Sequence, residues 1–178
     1  MQGYKPGAEC SECKGQCCKD KGCSLAPEDM LKALNKEDGE LRDQILTLLN
    51  DENGLYAIDY FSEEAGTCFY LRMRHKCYNF IGVDAMGECV ALTETGCSLS
   101  PEKRPKGGRY LESKPDRQCV QHYSREQMCT DWAPYSDILK SIWKEYHAKF
   151  EEDGTFDKCD DAYFAWLKEK REKNKDFL

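Results

Sequence analysis

Five cysteines crowd into the stretch AECSECKGQCCKDKGCSLAPED, residues 8–29: Cys10, Cys13, Cys17, Cys18 and Cys23, with Cys17 and Cys18 adjacent. Thiols at this density act as metal ligands, redox groups or disulfide partners, and the redox compartment decides which. The opening MQGYKPGAEC lacks the apolar core of a secretory signal, and no stretch approaches the roughly 20 apolar residues of a membrane span. A cytoplasmic protein is therefore expected. In a reducing compartment the chain's twelve cysteines point to metal or redox chemistry. An exported protein with six disulfides is the weaker alternative. A formal net charge of -7 argues against a general binder of nucleic acid or anionic membrane, since both recruit basic fields.

The spacing carries chemical information. In CSECKG, Cys10 and Cys13 are separated by two residues and followed by Gly15, so a tight turn can aim both sulfurs at one ion while backbone N–H groups favour the thiolate. A dithiol redox site needs only that pair, so the three further cysteines favour metal. Adjacent side chains on extended backbone point to opposite sides, which separates Cys17 from Cys18. One of them can join Cys10 and Cys13, leaving the other for a second metal, the core or free reactivity.

A second cluster follows downstream, with Cys89 and Cys97 in GECVALTETGC and Cys119 in KPDRQCVQH. GCSLAPED at 22–29 is echoed by GCSLSPEK at 96–103, which gives Cys23 and Cys97 similar local settings. The eight candidate ligands are thus Cys10, Cys13, Cys17, Cys18, Cys23, Cys89, Cys97 and Cys119, enough for two four-ligand sites or for one cluster with spare thiols. Cys68, Cys77, Cys129 and Cys159 read as structural, because free cysteine is readily buried.

The chain between and after these clusters reads as a small α+β fold. PEDMLKALNKEDGELRDQILTLLN has helical spacing, with Pro27 at a first helical position, Glu28 and Asp29 suited to the helix N-terminus, and Gly39 dividing it into two helices. Met30, Leu31 and Leu34, then Leu41, Ile45, Leu48 and Leu49, form its apolar stripes. LYAIDYF, TCFYLRMR, NFIGVD and ECVAL read as strands of a small antiparallel sheet. Arg72, Arg74 and His75 are expected on a solvated strand face, with a role as tuning or docking groups as the alternative. Periodicity is lost between Thr93 and Arg117, which implies a long loop held by something. Tyr135, Ile138, Leu139, Ile142, Trp143, Tyr146 and Phe150 share one face of a helix opened by Pro134, and DDAYFAWLKEKREKNKDF reads as a last helix. Residues 1–124 read as a cysteine-cluster metal-binding domain and residues 125–178 as a helical segment packed on it.

CSECKGQCC, followed by CVALTETGC and the dipeptide Arg104-Pro105, resembles the CxxCxxCC zinc- or iron-chelating domain family, the YkgJ-like proteins, over roughly residues 8 to 120. The resemblance implies ligands at Cys10, Cys13, Cys17, Cys18, Cys89 and Cys97. Members are often labelled Fe–S oxidoreductases, and a related segment occurs in a flagellin lysine methylase, so an iron–sulfur cluster is slightly favoured over zinc. This chain departs from the pattern after the proline, where Lys106, Gly107 and Gly108 replace the family's next cysteine. Cys119 is the candidate substitute.

The resulting expectation is a thiolate-bound cluster with a redox or modification role on a protein or peptide partner. The alternative is a non-catalytic zinc module. A thiol enzyme using His75 or His122 ranks last, because no acid-orienting signature accompanies either histidine.

Overall fold

The structure is a computed structural model that describes residues 15, 18, 22–34, 39–50, 56–63, 66–74, 88–114, 119–155 and 165. The expected Cys10, Cys13, Cys17, Cys77, Cys159 and His75, the strand NFIGVD and almost all of the last helix lie outside these residues.

The architecture is α+β. Its centre is a three-stranded antiparallel sheet of order β1-β3-β2, built from β1 (Cys23–Ser24), β2 (Tyr56–Glu63) and β3 (Gly66–Met73). The long hairpin runs in unbroken register from Tyr56 opposite Met73 to Glu63 opposite Gly66, and β1 adds Ser24 opposite Arg72. Beyond its first two residues β3 is buried at every position, so it is covered on both faces and loses the alternation of a half-solvated strand.

Helices supply that cover. Pro27 opens α1 (Pro27–Ala33), where its missing N–H costs nothing. α2 (Leu41–Leu49) follows after Gly39, the expected division, and buries Ile45 and Leu49. Of the apolar stripe on α1, Met30 is buried but Leu31 faces solvent, 47% exposed. α4 (Arg125–Trp132) begins at Ser124, whose hydroxyl accepts from Gln127 N–H while the Gln127 side chain accepts from Ser124 N–H. That reciprocal cap starts a helix of weak apolar periodicity. Trp132, fully buried, donates its indole N–H to Leu25 O at 2.9 Å and ties α4 to the chain beyond β1.

α5 (Ser136–Glu152) packs on the hairpin through buried Leu139 and Ile142, and Trp143 meets Tyr60 edge-on at 5.3 Å. Pro134 lies in a separate 3-10 turn, Ala133–Tyr135, just before the helix it was expected to open.

Two expectations are corrected between Glu88 and Gln121. ECVAL is a turn rather than a strand, and only Leu92 continues into a short ladder. The expected structureless loop holds β4 (Leu92–Thr93), β5 (Gly96–Cys97), a 3-10 turn (Pro101–Lys103), the single turn α3 (Lys106–Arg109) and β6 (Leu111–Glu112), which pairs with β7 (Val120–Gln121). Elements of two to four residues bury too few apolar side chains to leave a periodic signal.

A third correction concerns Arg72 and Arg74. They are 6% and 0% exposed, not on a solvated face, and both approach the fully buried Asp59: Arg74 Nη2 lies 3.2 Å from Oδ1 and Arg72 Nε 3.4 Å from Oδ2. Arg72 also donates to the Tyr70 hydroxyl.

Candidate metal centre

Three backbone devices hold the cysteine-bearing segments against one another. The first is the link between the two cysteine clusters: Cys89 N–H donates to Cys18 O at 2.7 Å, across about seventy residues of sequence. Gly15 nearby has φ at 68°, the left-handed backbone region that favours glycine. Cys18 N–H in turn donates to Gly15 O at 2.9 Å.

The second device is the β4–β5 hairpin. Gly96, with φ at 111°, takes the turn, and Thr93 Oγ1 donates to Gly96 O at 2.7 Å. Ser98 closes its base through N–H and hydroxyl bonds to Ala91 O at 2.8 and 3.0 Å. Cys97 is thereby held half-buried near the buried Cys89.

The third device is α3, which lies on β1. A Cβ on Gly107 would meet Ser24 O at 2.6 Å, and one on Gly108 would sit 3.4 Å from Cys23 Sγ. Only a glycine at position 107 lets the backbone come this close, and the Gly108 N–H donates to Pro105 O at 2.8 Å. Asp29 fixes the approach: its carboxylate accepts from Ala26 N–H at 3.0 Å, Lys106 N–H at 2.7 Å and Arg109 Nη1 at 3.1 Å. One side chain thus caps α1 and anchors α3.

Electrostatics mark the group these devices make. Burial pushes the Cys23 thiol up strongly, the Cys89 and Cys97 thiols push it further as neighbouring negative charge, Asp29 adds to them, and the Gly108 N–H opposes. Cys23, Cys89 and Cys97 therefore share one electrostatic neighbourhood. Without a cation Cys23 stays a neutral thiol; a bound cation would reverse the balance by neutralising the thiolates that repel one another.

The echo between GCSLAPED and GCSLSPEK has a structural counterpart. Gly22 and Gly96 both have positive φ, Cys23 and Cys97 both lie in two-residue strands, and Pro27 and Pro101 both open a helical turn. Two equivalent corners thus present the two cysteines.

Five of the eight expected ligands fall in the described residues. Cys89 and Cys97 both act electrostatically on the Cys23 thiol, and Cys18 O accepts from Cys89 N–H. Cys119 is half-buried before β7 and is not among the groups that act on the Cys23 thiol. Cys68 lies in the core as expected, and Cys129 packs against it from α4. His122 Nε2 lies 2.8 Å from Glu112 Oε2 across the β6–β7 ladder.

As a metal site the donor set fits in chemistry, being soft thiolate sulfur. It does not close by itself: among the described residues no three His, Cys, Asp or Glu side chains converge tightly enough to hold an ion. Sequence reasoning placed Asp29 at a helix N-terminus but missed its bonds to Lys106 and Arg109, and it read Gly107 and Gly108 only as the place of a lost cysteine. Their signal was present in PED, an acid at the third helical position after a proline, and in PKGG, where paired glycines follow a proline. Compared with known protein families, with curated proteins and with solved structures, the chain matches none of them.

Proposed function

We propose that this chain binds a metal through thiolates, as an iron–sulfur cluster or as zinc, and that the loaded site serves a redox or modification role on a protein or peptide partner. Cys23, Cys89 and Cys97 supply part of the ligand set, and Cys18 with Cys10, Cys13 and Cys17 supplies the rest. Cys119 is a ligand of last resort.

The observation that carries the reading is that Cys89 and Cys97, distant in sequence from Cys23, both act electrostatically on its buried thiol, while Cys89 N–H bonds to Cys18 O. The resemblance to the CxxCxxCC family supports Cys18, Cys89 and Cys97 as ligands; Cys23 rests on its setting in the structure alone. An iron–sulfur cluster would supply one-electron transfer when bound, and zinc would organise the cysteine-bearing loops.

The test is anaerobic purification followed by visible spectroscopy and assay of iron, zinc and acid-labile sulfide. Absorption near 400 nm with iron and sulfide is expected; a colourless protein with stoichiometric zinc selects the structural module. Cys23→Ser should lose most of the metal, whereas Cys129→Ser should keep it. Protein purified this way with neither metal, and with its thiols paired as disulfides, would falsify the proposal.

A further inference from the structure

Beside the thiol group a cleft of about 580 Å3 opens between α1, the 90–99 segment and the 3-10 turn at Pro101. Small-molecule sites occupy roughly 300–1,000 Å3. The position of the cleft is tied to the cysteines: Leu25 follows Cys23 by two residues, Val90 and Ala91 follow Cys89, and Ser98 and Leu99 follow Cys97. The three chain segments that carry the thiols therefore also wall the cleft.

Its walls differ sharply in polarity. The apolar part is made by Leu25, Ala33, Tyr56, Met73, Val90 and Leu99. The charged part holds Lys32, Lys103 and Arg109 against Asp29 and Glu102. Arg109 is already engaged by Asp29 at 3.1 Å and by Glu28 at 2.9 Å. Lys32 and Lys103 are exposed, and among the described residues neither makes an ion pair. In a chain of net charge -7, an apolar cleft flanked by two uncommitted lysines is a local inversion of the surface charge.

We propose that this cleft binds an amphipathic monoanion, a carboxylate on an apolar aliphatic or aromatic body. The body would lie on Tyr56, Val90 and Leu99, and the carboxylate would remain near Lys32 and Lys103, where its charge stays partly hydrated. An apolar cation would meet the same lysines as repulsion. A polyanion would find too few donors along the apolar wall to replace its water. The site goes beyond the metal reading and stands without it.

The test is calorimetric titration of the full chain with decanoate, decan-1-ol and decyltrimethylammonium, each kept below its micellar range. Decanoate should bind saturably at one site, with methyl resonances of Val90 and Leu99 shifting on titration, and the cation should bind more weakly than the alcohol. The double variant Lys32→Glu/Lys103→Glu should weaken decanoate about tenfold, the scale of two partly exposed charge contacts, and leave decan-1-ol unchanged. Both lysines are exposed, so the variant should keep the circular-dichroism spectrum of the parent. Absence of saturable decanoate binding, equal affinity in the double variant, or shifts confined to other methyl groups would each overturn the assignment. Metal content measured on the same samples reports on the thiol site separately.

Discussion

Single residues decide how closely the cysteine-bearing segments can approach one another, and Gly107 is the clearest case. Its ideal Cβ would stand 2.6 Å from Ser24 O and 3.1 Å from Ser24 N, both backbone atoms that cannot rotate away. Gly107→Ala must push α3 off β1, and a loss of about 1–3 kcal/mol is expected, the range of overpacking. Gly39 is the matched control: the nearest atom to its Cβ is Gln44 Cγ at 4.0 Å and its φ is not positive, so Gly39→Ala should be neutral or stabilising by about 0.5 kcal/mol. Urea unfolding of both variants checks the pair, and equal stabilities would remove the close approach from the account. Tyr123 gives a pH dependence at the same scale. Burial, then the Asp131 carboxylate, pushes its phenol above the ordinary value near 10. The folded chain holds that proton where the unfolded chain releases it, so this contribution to stability is fully present below pH 10 and is lost as pH rises further. Unfolding curves at pH 8 and pH 10.5 should therefore converge less in wild type than in its absence: Tyr123→Phe should reduce the alkaline loss, and an identical loss in both proteins would show that the phenol does not contribute.

At the scale of elements, the hairpin β2–β3 stands out because Arg72 near the end of β3 and Arg74 just beyond it are nonetheless buried. Its hydrophobic neighbours, Phe69, Leu71 and Met73, were legible as one face of a strand. Burial of the other face was not, since sequence alternation cannot distinguish a solvated polar face from one covered by protein and neutralised internally. Asp59 supplies that neutralisation from β2, two strand residues from Phe61 and opposite Tyr70 in the register. Asp59→Asn keeps the shape and removes the charge, leaving Arg72 and Arg74 without their shared carboxylate. Breaking a buried pair in this way costs about 3–5 kcal/mol. Arg42 and Glu145 form an ion pair between α2 and α5 that is part-exposed on both sides, and Arg42→Ala should cost no more than about 1 kcal/mol. Thermal unfolding of the two variants measures the contrast; comparable losses would mean that the Asp59 cluster does not act as a buried ion group.

Across the whole molecule, the parts that were legible in sequence and the parts that were not divide along physical lines. α1, α2, α5 and the hairpin could be read because each buries a periodic apolar face in one core. The 88–121 region could not, because it is held by backbone hydrogen bonds, two-residue ladders and a carboxylate hub, none of which leaves a hydrophobic period. The thiol positions were legible in residue type and in the pairing of Cys23 with Cys97, but the close approach of α3 to β1 beside Cys23 depends on Gly107. This division predicts how the molecule responds when the metal of the proposed site is removed. The core formed by Ile45, Ile58, Leu71, Trp132, Leu139 and Ile142 contains no proposed ligand, so it should persist. β1, the 88–99 segment and α3 carry the thiols at the edge of that core and bury few apolar side chains, and a bound metal stabilises what it organises. Chelation under reducing conditions should raise amide exchange first at Cys89, Ser98 and Gly108, whose N–H groups bond to Cys18, Ala91 and Pro105. Amides of β3 and α5 should remain protected. Uniform loss of protection across all of them would show that the thiol-bearing segments and the core unfold as one cooperative unit.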